Sequence, residues 1–207
     1  MKLQLALDVL DSRKAMALAE ATRDYVDIIE IGTPLMKHEG VQVLKKLRKA
    51  FPDKIIFVDL KTMDVGEYEA DFCFSLGADI VSVLGVADLE TIKGSIKSAR
   101  KYKAKVLVDM INHPNKSKRT KEVEKLGADF VGVHSGIDQQ QRGLSPLNDL
   151  KDICHVTNMP VFVAGGINLS NIDDIKKENP HTVIVGATIT SSDNPALTAK
   201  EIKESLS

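Results

Sequence analysis

The chain has 207 residues, of which 43% are hydrophobic and 28% charged, and its formal net charge is −1. A near-neutral chain lacks the basic surface that binding to nucleic acid or an anionic membrane requires, so we expect neither partner. The basic run 116–119 is short, and we interpret it as part of a solvated helix or loop rather than an RNA-binding patch. The composition is typical of one soluble domain spanning 1–207.

The amino-terminal segment has too short an apolar run for a signal peptide, and no segment approaches the roughly 18 apolar residues of a membrane span. Cys73 and Cys154 lie far apart in segments that we predict as helices, without metal-ligand spacing. We interpret them as free thiols in a reducing compartment, and we expect a cytoplasmic protein.

In chain order, short β-branched apolar runs alternate with amphipathic stretches. The runs are nearly continuous in hydrophobicity, as strands covered on both faces require. We predict strands at 3–9, 27–32, 54–61, 79–85, 105–112, 129–135, 160–166 and 182–190. We predict helices at 12–23, 65–76, 89–102, 117–126, 145–156, 171–178 and 195–206, with Ser12 as the first N-cap.

Eight strands alternating with helices favour an α/β fold, a single parallel (β/α)₈ barrel. The boundaries at 76–79 and 126–129 are nearly identical, with Gly77 and Gly127 placed to end a helix in the left-handed conformation. An open doubly wound sheet is the alternative. It usually has fewer strands and a Gly-x-Gly-x-x-Gly motif after the first strand, which this chain lacks.

Polar residues and glycines collect where the predicted strands end. In a parallel barrel these carboxyl ends form one functional face. A single charge there is often only a solvated strand end, but this many on one face predict a site. The residues in question are Asp8, Glu30, Asp59, Lys61, Asp109, Asn112, His134, Gly165, Gly166, Gly186 and Ala187.

The third strand ends in the most specific string, 59–64. Strand alternation directs Asp59 and Lys61 to the same side, where an ion pair keeps both charged despite partial burial. Asp64 follows the strand, and on the residues alone a helix N-cap and a site residue remain equally good interpretations.

The turns after strands seven and eight contain Gly165, Gly166, Gly186 and Ala187. Small residues expose backbone N–H groups that suit a phosphate, and these two loops are the usual phosphate site of this barrel. Tight turns without a ligand are the alternative.

His134 follows the apolar sixth strand. A histidine there is often only a buried core residue, but its position opposite the acidic cluster favours a general acid or base. Glu30 and Asp59 come from neighbouring strands and are spaced to share a hard cation such as Mg²⁺, which completes its shell with water and substrate oxygens.

These motifs resemble a known family. The Asp-x-Lys-x-x-Asp string is similar to that of the orotidine 5′-monophosphate decarboxylase suprafamily, and the whole chain resembles its 3-hexulose-6-phosphate synthase members. The segments that support the resemblance are 5–8, 29–34, 59–64, 108–109, 132–136 with Asp138 and Gln139, and 164–167.

The resemblance implies a Mg²⁺-dependent aldol condensation of D-ribulose 5-phosphate with formaldehyde. It implies Glu30 and Asp59 as metal ligands, with the ion stabilising an enediolate. His134 is then the base at C1, Lys61 stabilises the developing negative charge, and Asp8 and Asp109 orient substrate hydroxyls and the lysine. It also implies a homodimer in which Asp64 reaches the partner's site. We expect no Schiff base.

Three alternatives remain. A 3-keto-L-gulonate-6-phosphate decarboxylase shares the string, but that relative typically has glutamate at Asp109 and arginine at Ile137. Ribulose-phosphate epimerisation is disfavoured because only His134 is clearly placed at the mouth. A non-catalytic phosphosugar-binding protein needs no acid, base and metal set together. Within the family, Ala187 is a departure, because Gly or Arg is frequent there.

Overall fold

The structure, a computed structural model, describes residues 1–207. Eight parallel strands close into a barrel in which each pairs with the next and the last pairs with the first, which confirms the predicted (β/α)₈ fold. The strands are β1 (Lys2–Leu7), β2 (Ile28–Ile31), β3 (Ile55–Thr62), β4 (Ile80–Leu84), β5 (Lys105–Asp109), β6 (Phe130–His134), β7 (Val161–Ala164) and β8 (Thr182–Val185).

Helices follow every strand and cover the barrel. They are α1 (Ser12–Thr22), α2 (Thr33–Glu39), α3 (Gln42–Ala50), α4 (Gly66–Ser75), α5 (Leu89–Tyr102), α6 (Lys116–Lys125), α7 (Ile137–Gln140), α8 (Leu147–Val156), α9 (Ile172–Lys177), α10 (Ala187–Thr190) and α11 (Pro195–Ser205). None of them is long and apolar enough to cross a membrane.

Strand alternation separates two cores. On β1, Leu3, Leu5 and Leu7 belong to the large core of 47 buried residues that includes helix side chains. A smaller core of five side chains, Ile28, Phe57, Ile80, Leu107 and Phe162, fills the inside of the barrel. Burial of both strand faces explains why the strands are continuously apolar in sequence.

The amino-terminal end of the barrel contains no predicted site residue. A cavity of about 190 Å³ opens there, lined by Phe130, Phe162 and His181 among others. The His181 ring stacks on Phe162 at 5.5 Å between centroids. Aromatic side chains thus line this end, and the ionisable cluster lies at the opposite end.

Several details of the predicted elements were wrong, among them the ends of the fifth and seventh strands, which the structure places at Asp109 and Ala164. The predicted eighth strand ran to residue 190, but β8 ends at Val185, where its pairing with β1 ends, and α10 follows. The helices α2 and α3 were not identified, because Pro34 and Gly40 are typical turn residues. The N-cap of α1 is Asp11 rather than Ser12, and its carboxylate accepts from the Arg13 N–H at 2.7 Å.

The repeated helix ends were predicted correctly. Gly77 has φ +97° and Gly127 φ +84°, so both occupy the left-handed region that favours glycine. Cys73 and Cys154 are free and lie in helices α4 and α8. The basic run 116–119 begins α6, where Lys116 pairs with Asp149 and Arg119 with Glu122.

Candidate active site

Four side chains at the carboxyl ends of three strands form one network of ion pairs and hydrogen bonds. The Lys61 ammonium lies 2.6 Å from an Asp59 carboxylate oxygen and 3.2 Å from one of Asp109. The same Asp109 oxygen lies 3.1 Å from Nδ1 of His134. The predicted pairing of Asp59 with Lys61 is confirmed, and the structure adds Asp109 and His134 to it.

The end of β3 is irregular, and this irregularity brings the lysine into the cluster. The register with β4 shifts between Val58 and Thr62, and Lys61 has φ +48°. The shared direction of Asp59 and Lys61 therefore does not come from plain alternation. Ser82 of β4 stabilises the irregular segment by accepting from the Lys61 N–H at 2.9 Å and donating to Asp59 at 2.7 Å.

The electrostatics of this network keep Asp109 and Lys61 charged. Burial raises the pKa of Asp109, but the hydrogen bond and charge of His134 and the charge of Lys61 outweigh it and bring that pKa to about 2. Burial lowers the pKa of Lys61, yet the charges of Asp59 and Asp109 raise it above its ordinary value. Lys61 is therefore a cation and Asp109 an anion at neutral pH.

Two further carboxylates, those of Glu30 and Asp8, have raised pKa values. Burial raises the pKa of Glu30 well above its usual 4.5, and the charges of Asp59 and Asp8 raise it further. Burial also raises the pKa of Asp8, as does the charge of Asp59. Glu30 is only 6% exposed. This side of the mouth thus has more negative charge than Lys61 balances.

Gly32 leaves room for Asp8. A Cβ on Gly32 would overlap an Asp8 carboxylate oxygen, whereas one on Gly186 would lie at an ordinary van der Waals distance, 3.5 Å, from the other oxygen. Gly32 therefore permits the close approach of the first two loops, which keeps Asp8 at the mouth.

The predicted phosphate loops lie side by side. The Thr188 hydroxyl donates to the Ile167 carbonyl at 2.8 Å and joins the loop after β8 to the loop after β7. Gly165 has φ +116° and Gly166 φ +67°. The backbone N–H groups of Gly165, Gly166, Gly186 and Ala187 donate to no acceptor within the chain. Such a group of free N–H donors suits an anion.

Two ionisable residues in the loops at this end of the barrel, Asp64 and His113, lie outside this network. Asp64 is exposed, and its carboxylate accepts only from the N–H of Val65, at 2.8 Å. The cap of α4 is Val65 in the left-handed conformation, so the N-cap interpretation of Asp64 was wrong. His113 accepts from the Asn115 N–H at 3.1 Å in the loop after β5.

Sequence reasoning missed three polar residues that contact the predicted ones. Ser82 has been described. The Thr33 hydroxyl donates to the Asp59 carboxylate at 2.9 Å, and the Gln4 amide donates to Glu30 at 2.6 Å. Gln4 and Ser82 are polar residues at inward positions of apolar strands, and that pattern is the signal that identifies them.

No group of three or more His, Cys, Asp or Glu side chains is arranged to hold a metal ion by itself. The chemistry available to the chain itself is a fixed cation, a carboxylate-bound imidazole and a group of free N–H donors. A (β/α)₈ barrel with this set at its carboxyl end is typical of an enzyme that acts on a small anionic substrate.

Comparison with known proteins agrees with this class. The sequence profile described as "Orotidine 5'-phosphate decarboxylase / HUMPS family" matches residues 1–202, and the chain belongs to that family. A 3-hexulose-6-phosphate synthase from Methylomonas aminofaciens is 48% identical over 200 residues, which cover 96% of each protein.

Two solved structures extend the comparison. The crystal structure of 3-hexulose-6-phosphate synthase from Salmonella typhimurium has a TM-score of 0.97 at 41% identity, covering 100% of this chain and 98% of that one. A 3-keto-L-gulonate-6-phosphate decarboxylase from Vibrio cholerae has a TM-score of 0.89 at 25% identity, covering 99% and 96%. The chain is thus more similar to these synthases than to this decarboxylase.

Proposed function

We propose that this enzyme is an aldehyde-lyase that joins D-ribulose 5-phosphate to formaldehyde and forms D-arabino-hex-3-ulose 6-phosphate. The observation that supports this most is Asp109, which contacts both the Lys61 ammonium and the His134 imidazole. One buried carboxylate thereby fixes an acid–base group and a cation side by side. The two substrates are inferred from the high sequence identity to 3-hexulose-6-phosphate synthases over nearly the whole chain.

His134 is the proposed base. Its Nδ1 is held by Asp109 at 3.1 Å, so in the neutral tautomer with a proton on Nδ1 the lone pair is on Nε2. Nε2 then takes the proton from C1 of the pentulose, and the resulting carbanion attacks the carbon of formaldehyde. The proton on Nε2 is afterwards available for the new alkoxide.

Lys61 is proposed to act as a fixed cation beside the oxygen where negative charge develops. Its raised pKa keeps the amine protonated, and a protonated amine does not form a Schiff base. We therefore expect that borohydride reduction of the enzyme with D-ribulose 5-phosphate leaves no adduct on Lys61 by mass spectrometry. An adduct at that residue would reverse the assignment.

Glu30 and Asp59 are the residues that would hold Mg²⁺. They fit this ion because Glu30 is a buried carboxylate in an excess of negative charge, and because Mg²⁺ binds through one or two carboxylates and keeps several waters. When bound, Mg²⁺ supplies a Lewis acid for the sugar ketone. Asp8, at the same mouth, is proposed to orient substrate hydroxyls.

The substrate phosphate is proposed to bind the free N–H groups of Gly165, Gly166, Gly186 and Ala187. Ala187 departs from the family's Gly or Arg. As an alanine it contributes its backbone N–H and no side-chain contact.

A homodimer is proposed because the loop that contains Asp64 is apolar and exposed. Met63 and Val65 are more than half exposed, and Tyr68 in the first turn of α4 is 75% exposed. Burial of this patch against a second copy would bring Asp64 to the partner's site.

We further propose that residues 1–207 form one domain, and that the free thiols reflect a cytoplasmic location.

The test of the proposed function is formaldehyde consumption by purified protein with D-ribulose 5-phosphate, before and after EDTA treatment, with heat-treated protein as the blank. We expect consumption that EDTA abolishes and Mg²⁺ restores. Release of CO₂ from 3-keto-L-gulonate 6-phosphate without formaldehyde consumption would assign the decarboxylase instead. Binding of either sugar phosphate without turnover would assign a binding protein.

A further inference from the structure

Gln4 is a polar residue in an apolar position. It lies on β1 with its side chain fully buried, and it is paired in the barrel with Ile28 of β2 and Ile184 of β8. On β1, Leu3 and Leu5 face the helices, so Gln4 faces the inside of the barrel. Its partners on both neighbouring strands are apolar, and Glu30 lies two residues beyond Ile28 on β2, toward the mouth.

The two polar atoms of the Gln4 amide are in different situations. Nε2 donates to a Glu30 carboxylate oxygen at 2.6 Å, and Glu30 receives no other side-chain hydrogen bond in the chain. Oε1 is buried without any partner. Only one other buried side-chain atom in the molecule lacks a partner, the Thr120 hydroxyl on α6.

Fold stability does not explain this arrangement. A buried carbonyl oxygen without a partner is unfavourable, and methionine fills the same space without one. A buried carboxylate, in contrast, needs at least one donor to keep a defined position. The arrangement therefore provides the Glu30 carboxylate with a donor and leaves Oε1 of Gln4 without one.

We propose that Gln4 is a positioning residue that fixes the Glu30 carboxylate at the mouth, ready to bind the divalent cation. This inference rests on the metal site of the proposed function. Residues that hydrogen-bond a ligating carboxylate typically change metal affinity when they are substituted, although they never touch the ion.

The experiment is a titration of metal-free protein with Mn²⁺ alone, in which free Mn²⁺ is followed by electron paramagnetic resonance. For Gln4→Met we expect Mn²⁺ binding weaker by about tenfold or more. We also expect a melting temperature no lower than that of the unsubstituted protein, because the unpaired carbonyl is removed. A Gln4→Met protein that binds Mn²⁺ as tightly as the unsubstituted protein would overturn the proposal.

Two further variants control the measurement. Thr120→Val removes the other unpartnered buried oxygen, which lies on α6 and not on a barrel strand, and its Mn²⁺ affinity is expected to be unchanged. Glu30→Gln tests the metal site itself, and its binding is expected to be lost. Circular dichroism verifies folding, and Gln4→Leu replaces Gln4→Met if the latter does not fold.

Failure of the metal site is distinguishable from failure of this inference. If the unsubstituted protein binds no Mn²⁺, the metal assignment is wrong, and crystal structures then test Gln4. A Glu30 carboxylate displaced in Gln4→Met relative to the unsubstituted protein supports the positioning role. An unmoved carboxylate overturns it.

Discussion

Among single side chains, His134, whose Nδ1 contacts Asp109, is the proposed base. We expect His134→Gln to slow exchange of the C1 hydrogen of D-ribulose 5-phosphate with D₂O by about 100-fold or more, because proton transfer loses its acceptor. Nuclear magnetic resonance of the sugar measures this exchange. His155→Gln, on the exposed side of α8, is the matched control and is expected to exchange at the unsubstituted rate. Equal rates in both variants would exclude His134 as the base.

Glu30 gives the stability of the metal-free fold a distinct pH dependence. Its pKa is raised above 4.5 in the folded state, so the folded chain holds this proton more tightly than the unfolded chain. The free energy of unfolding therefore decreases as pH rises from about 4.5 toward the folded-state pKa. We expect Glu30→Gln to remove this decrease and to raise the melting temperature at pH 7 in EDTA.

Thermal unfolding between pH 4 and pH 8 checks this expectation. Asp8 contributes a decrease of the same sign, because its pKa is also raised, so the difference between the two proteins isolates Glu30. Glu20→Gln, on the exposed face of α1, is the control with an unchanged profile. A Glu30→Gln variant less stable than the unsubstituted protein at pH 7 would contradict the argument.

At the level of elements, the irregular end of β3 depends on Ser82 of β4. Ser82→Ala leaves the Lys61 N–H without its acceptor and removes a donor to Asp59. We expect a decrease in kcat of about 10- to 100-fold with little change in KM, since the lysine is displaced by a fraction of an ångström. We also expect a loss of about 1–3 kcal/mol in the free energy of unfolding.

Steady-state kinetics and denaturant unfolding measure these two effects. Ser82→Thr keeps the hydroxyl and is expected to restore most of kcat. Ser98→Ala removes another buried serine hydroxyl, which donates to Asp71 on the helical side at 2.6 Å, and is expected to keep kcat unchanged. Loss of stability without loss of kcat in Ser82→Ala would reduce Ser82 to a structural role.

The end of the eighth strand was predicted incorrectly from the sequence pattern. Residues 187–190 are small and β-branched, so the sequence predicted a continuation of the eighth strand. A short apolar run does not distinguish a strand from a helical turn. The barrel decided between them, because β1 pairs with β8 only as far as Val185 and leaves the following residues to fold locally.

For the whole molecule, the exposed apolar loop around Asp64 predicts shared active sites. If Asp64 of each subunit completes the partner's site, Asp64→Asn and His134→Gln are both inactive alone. After subunit exchange, one site of each mixed dimer contains both native residues, so we expect about a quarter of the unsubstituted activity. Formaldehyde consumption measures it. Mixtures that stay inactive although mass spectrometry detects mixed dimers would contradict a shared site.

The sequence by itself determined the barrel, the end of it that carries the site, and the identity of the ionisable residues there. Continuous apolar strands require helices on the outside, and parallel strands bring their carboxyl ends to one face. Only the tertiary structure decided which of those residues touch. The left-handed Lys61, the hydrogen bonds of Ser82 and Gln4, and the contact of Asp109 with His134 join residues from different strands. Such contacts depend on barrel register and local irregularity, which the pattern along one strand does not contain.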